Sequence, residues 1–338
     1  MKLKILLYGE LWTGTHVDCI SKVFKQKNIN YKIFDFYKII SPILFGNIID
    51  KINRKAFYHF REKKINNELL KEIDSYKPSV LLISKGLNIY PETLKVFKSK
   101  NIIIANWNPD DFFNKLNSNK NLLNSLGIYD YVFSARKHLF DQYKSKGITN
   151  PIYLDWYYIP WLHHKPLNFK PIENKITFIG THSERREHIL SSVSSKFPIN
   201  IWGSGWGSSK IGMKSNVDLM KKELSQKLFP EIMSSSRVNL NILTKENRDL
   251  TNLKIFEITA SCGLMLSEHN PTIKNIMKDD CFYFEVDKID EINNTLNYLF
   301  NKNNDKSIEE VRLNGYSNIK DNSHSINDRV DKLLKILN

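Results

Sequence analysis

Residues 175–203 read KITFIGTHSERREHILSSVSSKFPINIWG. The apolar run KITFIG (175–180) stops at a glycine. A helical segment follows at 183–195, opened by Ser183 or by Thr181 and Glu184 in capping-box spacing. A second apolar run, INIWG (199–203), stops at another glycine. Strand, helix and strand in so short a stretch make a βαβ unit. Nearly continuous apolarity predicts strands buried on both faces, as in a parallel sheet covered by helices.

The same alternation extends in both directions. Toward the carboxyl end come a helix around 218–235, a strand VNLNIL (238–243), a helix at 252–261 and a strand LMLS. CFYFEV (281–286) and a helix at 289–301 follow, then a turn-rich stretch and a last helix at about 325–337. Toward the amino end, WLHHKPLNFKPIENK (161–175) has no period and two prolines, and reads as a linker. Before it lie strand candidates LKILLY (3–8), NYKIFDF (30–36), VLLIS (80–84), NIIIANW (101–107), YDYVFSA (129–135) and PIYLDWY (151–157). Helical segments at 16–27, 51–75, 91–100 and 137–147 separate them. The pattern predicts an α/β protein of two tandem Rossmann-like domains, 1–165 and 166–322, with a terminal helix at 323–338. Ligands of such sheets bind beyond the carboxyl ends of the strands, in a cleft where two such domains face each other.

Bulk properties fit this reading. The 338 residues suit two domains, and 41% hydrophobic with 12% aromatic content excludes global disorder. Cys19, Cys262 and Cys281 are scattered and odd in number, which argues against a disulfide framework or a zinc site and for a reducing, cytoplasmic setting. MKLKILLYGELW lacks a cleavage site, and IISPILFGNII (39–49) is too short to span a bilayer. The net charge of +14 favours an acidic partner: phosphate-bearing substrate, nucleic acid or an anionic membrane face. A compositional bias toward Lys, Asn and Ile explains the charge equally well. The basic segment Lys51–Lys64 is the candidate for such a contact, or a solvated helix face.

Residues just after strands are the functional candidates. In YGELWTGTH (8–16), Gly9 and Gly14 can bring backbone amides to an anion, and His16 is a catalytic candidate. The pattern is not the dinucleotide-binding G-x-G-x-x-G. After Gly180, Arg185 and Arg186 fall in the first turn of a helix, where the dipole disfavours cations. That placement suggests a bound anion, to which the planar arginine fork is suited, or else surface pairs with Glu184 and Glu187. Gly203 and Gly205 open a loop that can press backbone or Trp206 on a ligand. Asp110 and Asp111, in ANWNPDDFF, serve either as a general base or as helix caps. In NRDLTNLKIFEITASCG (247–263), capped by Thr251 or Asn252, the residues Lys254, Glu257 and Ser261 form one polar stripe beside an apolar one.

These motifs together resemble the GT-B glycosyltransferases, in the branch of the CgeB-like spore-maturation proteins. The resemblance rests on FIGTHSERREHIL, WGSGW, VNLNI followed by LKIFEITASCGLMLS, the tail LNGYSNIKDNSHSINDRVDKLLKIL, and Trp107 with Asp110 and Asp111. It implies a nucleotide-sugar held by the second domain, and a last helix that crosses back to the first. It implies that Glu257 contacts the ribose and that Arg185 or Arg186, with Lys254, neutralises the diphosphate. The family's first glutamate is Asp249 here, so the pair reads Asp-x7-Glu. The resemblance further implies a metal-independent transfer from a nucleotide-diphosphate donor, UDP-linked, to a hydroxyl, with no other cofactor. Domain closure would exclude water. Acceptors of the class are glycans, lipid-linked sugars, proteins or modified nucleic acid, and the basic segment is compatible with peripheral contact at an anionic inner membrane face. A nucleotide-sugar epimerase of the same fold and a nucleic-acid-directed protein are the competing readings.

Overall fold

The computed structural model describes residues 3–40, 57–168, 172–220 and 224–338. They form two compact units. The first gathers Met1–Asp155, Glu246–Arg248 and Ile326–Asn338; the second gathers Trp156–Lys245 and Asp249–Ser325. The apolar run 39–49 and the amino-terminal part of Lys51–Lys64 lie mostly outside the described residues.

The first unit is built on six strands: β1 (Lys4–Gly9), β2 (Asn30–Asp35), β3 (Val80–Ser84), β4 (Ile103–Trp107), β5 (Tyr131–Ser134) and β6 (Pro151–Tyr153). Their order is β2-β1-β3-β4-β5-β6, and every pairing is parallel. All five residues of β3 are buried, as a strand covered on both faces must be. The helix His16–Gln26 buries Val17, Ile20, Val23 and Phe24 along one face. Gly9 lets that helix approach, because a Cβ there would lie 2.4 Å from Val17 Cγ2. The last helix, Ile326–Leu337, belongs to this unit, as the family resemblance implied. Ile326, Val330, Leu333 and Leu337 are buried, and Asp331 pairs with Lys27 at 2.7 Å.

The second unit carries β7 (Glu173–Ile179), β8 (Ile199–Trp202), β9 (Val217–Met220), β10 (Ser236–Asn241), β11 (Met265–Glu268) and β12 (Phe282–Phe284). Their order is β12-β11-β10-β7-β8-β9, again all parallel. The predicted pair of doubly wound sheets is therefore present. Chain direction across this sheet reverses between β7 and β10, which makes their carboxyl ends the topological switch point.

Three details differ from the sequence reading. The helix expected at 218–235 is a strand, β9, and a short helix, Phe229–Ser235. PIYLDWY is a strand only over Pro151–Tyr153. The turn-rich stretch contains a full helix, Asp305–Asp321. Its Gly315 serves close packing, because a Cβ there would stand 2.6 Å from the Asp280 carbonyl oxygen. Among the described residues, no helix is long and apolar enough to cross a membrane.

Candidate functional site

At the switch point of the second unit, the loop after β7 leads into the helix Glu184–Ser191, capped by Ser183, whose side chain accepts the Arg186 amide (3.3 Å). Arg186 reaches across the switch. It donates to the Thr181 carbonyl (2.9 Å), the Ile242 carbonyl (3.0 Å) and the Thr244 hydroxyl (2.8 Å), so it ties the ends of β7 and β10 together. Arg185 pairs with Glu268, the last residue of β11, and donates to the Leu243 carbonyl (3.3 Å). The cations that violated the dipole rule are thus offset by a strand-end carboxylate and by carbonyl oxygens, rather than by Glu184 or Glu187. Glu187 instead accepts from His182 at 2.6 Å. The Arg185 side chain stays partly exposed, at 19%.

The glycines here serve close approach. Gly203 has φ +135°, and a Cβ on it would come within 2.2 Å of the Gly180 carbonyl oxygen. Gly205, at φ +84°, lies against His182. Trp206 is buried and donates its indole N–H to the Gly180 carbonyl (2.8 Å). Gly180, Gly203 and Gly205 therefore join two loops backbone to backbone beside Arg186, and Trp206 is a strut of that junction.

Asn252 caps the helix Leu253–Ala260: its Oδ1 accepts the Ile255 amide (3.3 Å), and its Nδ2 donates to Asn241 Oδ1 (2.8 Å). Asn241 in turn donates to Ser267 (3.0 Å). This buried amide chain fixes the start of the helix to the ends of β10 and β11. In the first turn of this helix, Lys254 hydrogen-bonds and ion-pairs with Glu257. The pair is not a surface pair, since Glu257 is 9% exposed. Burial is the largest single influence and opposes its charge, but the Lys254 ammonium and a smaller contribution from His163 together hold the carboxyl below its ordinary range. Ser261, the third member of the expected stripe, is buried away from that pair's polar contacts. Sequence reasoning missed His163, whose Nε2 lies 3.8 Å from the second Glu257 oxygen. Burial, reinforced by Lys254, pushes this histidine down to about 4 against the pull of Glu257. Asp249 lies in the same unit, just ahead of the cap.

In the first unit the strand ends also carry polar groups. His16 Nδ1 is 3.2 Å from the Ser84 hydroxyl, and its ring meets Trp107 edge-on at 4.3 Å. Burial, with the Lys85 charge, pushes His16 down to about 3, so it is neutral at pH 7. Lys85 pairs with Asp110 at 3.1 Å, and Asn247 donates to the other Asp110 oxygen at 3.3 Å. Burial raises the Glu10 carboxyl after β1, against the pull of Lys85. Gly14 does not offer its amide to an anion, because Asp18 accepts it at 2.9 Å. Asp111 is also engaged: it is 1% exposed, pairs with Arg248 at 2.6 Å, and accepts the Phe113 amide at 3.1 Å. Burial and pairing make Asp111 an anchor. The buried Arg136 completes the cluster, donating to the carbonyls of Asn247 (2.9 Å) and Pro109 (3.0 Å). Lys85 and Glu268 each sit directly at a strand end, a signal that could have marked them; His163 carries none.

Among the described residues, no group of three or more His, Cys, Asp and Glu side chains could hold a metal ion. Residues 185–335 match the family described as Glycosyl transferase-like. No curated protein sequence matches the chain. Several solved structures share the fold. A sucrose-phosphate synthase from Thermosynechococcus elongatus superposes with TM-score 0.71 at 9% identity, covering 99% of this chain and 98% of that one. An α,α-trehalose-phosphate synthase (UDP-forming) from Burkholderia vietnamiensis gives 0.64 at 8% identity, covering 100% and 99%. The lipopolysaccharide outer core galactosyltransferase WaaB gives 0.54 at 14% identity, covering 95% and 100%. The family match falls mostly on the unit that carries the Arg185 and Lys254–Glu257 groups, and the chain has the GT-B fold that these solved structures share.

Proposed function

We propose that this enzyme moves a sugar from a UDP-linked donor to a hydroxyl acceptor, without a metal ion, and that it belongs to the CgeB-like branch. The observation that carries the donor assignment is the buried Glu257 carboxylate paired with the partly exposed Lys254, set at the start of a helix beside the switch point. A carboxylate kept ionised in a low-dielectric setting is suited to accept two ribose hydroxyls. Lys254, the partly exposed Arg185 and the amino ends of the helices Glu184–Ser191 and Leu253–Ala260 would take the charge that develops on the departing diphosphate. The UDP-forming activity named for one structural neighbour supports this choice of nucleotide.

On the acceptor side, Asp110 is the carboxylate we assign as general base, in reach of Lys85 and not buried in a closed pair as Asp111 is. His16 is neutral and orients the acceptor through its contacts with Ser84 and Trp107. A retaining reaction would need no base, and Asp110 would then hold the acceptor hydroxyl. Asp249, shorter than the glutamate that the family resemblance expects, would contact the donor sugar.

Saturating UDP should raise the melting temperature, since ligand at a hundred times its dissociation constant adds about 2.7 kcal/mol to the bound form. Glu257→Ala and Arg185→Ala, if folded, should sharply reduce the shift. A screen in which no nucleoside diphosphate stabilises the protein overturns the reading. Conversion of a UDP-sugar to its epimer without acceptor would replace it by the epimerase reading. Binding to DNA that weakens steeply with salt would point instead to a nucleic-acid partner.

A further inference from the structure

Lys254 carries two obligations. It is the cation that compensates the buried Glu257, and under the reading above it is also the cation that meets the diphosphate. Once it turns to the donor, a buried carboxylate loses its partner, which is costly unless another donor stands ready. His163 is placed for this. It is 5% exposed, and its ring rests 5.1 Å from the Phe229 ring, the same ring that carries the Lys254 ammonium at 5.1 Å. Its Nδ1 accepts the Ile159 amide at 3.1 Å, which leaves the proton of the neutral imidazole on Nε2. That N–H faces Glu257 Oε1 at 3.8 Å, just beyond hydrogen-bond range.

We propose that His163 is a positioning residue for Glu257: when Lys254 engages the donor diphosphate, the His163 Nε2–H becomes the hydrogen-bond partner that holds the Glu257 carboxylate against the ribose. The inference rests on the donor reading above. A side-chain shift of about 1 Å closes the gap. No proton is transferred; one partner of the carboxylate replaces another.

The test pairs two variants with two ligands, UDP and its 2′,3′-dideoxy analogue, by isothermal titration calorimetry. His163→Asn keeps an acceptor for the Ile159 amide but places no donor at the Nε2 position. His163→Gln places an amide N–H there. The wild-type protein should prefer UDP over the analogue by about tenfold or more, a preference reduced to about unity in Asn and restored in Gln, as expected of a hydrogen bond to a charged group. In the wild-type protein, the ring ¹⁵N resonances of His163 should shift on adding UDP. If Glu257→Ala loses the preference while His163→Asn keeps it, or if the His163 resonances stay fixed, the proposal is overturned and the donor reading stands. If the wild-type protein does not distinguish the two ligands, the donor reading fails and takes the proposal with it.

Discussion

Arg248→Ala should destabilise the first unit far more than Asp111→Asn, although the two residues form one ion pair. The Asp111 carboxylate is 1% exposed, with one oxygen 2.6 Å from the Arg248 guanidinium and the other on the Phe113 amide. Removing one partner of a buried pair costs about 3–5 kcal/mol, because the remaining charge is stranded. The Arg248 side chain is 40% exposed, so water screens the pair, and the expected cost falls to about 2 kcal/mol. For a unit of this size that lowers the melting temperature by roughly 4–8 °C. Asp111→Asn keeps the acceptor for Phe113 and leaves Arg248 solvated and bonded to Gln142 (2.7 Å), so its cost should stay below about 1 kcal/mol. Urea unfolding of both variants at pH 7 measures the difference. Turnover of folded Asp111→Asn should approach that of the wild-type protein, whereas Asp110→Asn should lose about a hundredfold or more under the base assignment. If Arg248→Ala stays within about 0.5 kcal/mol of the wild-type protein, or Asp111→Asn costs more than it does, the reasoning that makes Asp111 an anchor is refuted.

Gly203→Ala forces a methyl to 2.2 Å from a carbonyl oxygen at φ +135°, and should cost the second unit about 2 kcal/mol or more in thermal unfolding; a neutral outcome would mean the loop moves freely. His163 is held down to about 4, so between about pH 6.5 and 4 the unfolded chain binds a proton that the folded chain refuses. Its contribution is therefore complete above pH 6.5 and is lost as pH falls, at about 1.4 kcal/mol per pH unit. Denaturation curves at pH 7, 6 and 5 should show that slope flattened in His163→Gln, and an unchanged slope would contradict the burial argument. Glu268→Gln removes the charge that offsets Arg185, and should tighten UDP binding severalfold in calorimetry while lowering stability by about 1 kcal/mol; weaker binding would place Arg185 outside the donor site.

The alternation of apolar runs and amphipathic segments was sufficient to specify two parallel sheets, because burial on both faces leaves a local mark on every strand. KITFIG and VLLIS are such marks, and the glycines that end the runs located the loops where polar groups gather. The cap Asn252, the Lys254–Glu257 step and the arginine-bearing helix were legible for the same reason, since capping and helical spacing are local. Strand order was not local. Only the tertiary structure put β10 beside β7, and so decided that Arg186 spans the switch point and that Arg185 meets Glu268. The same holds for His163, read as part of a linker, which reaches Glu257 from far along the chain. It holds too for Asp110 and Asp111, adjacent and chemically alike in sequence. Burial and the distant Arg248 close one into an anchor, while Lys85 leaves the other partly exposed. Partners so far apart in the chain leave no periodicity behind, because their pairing is fixed by packing and desolvation rather than by spacing.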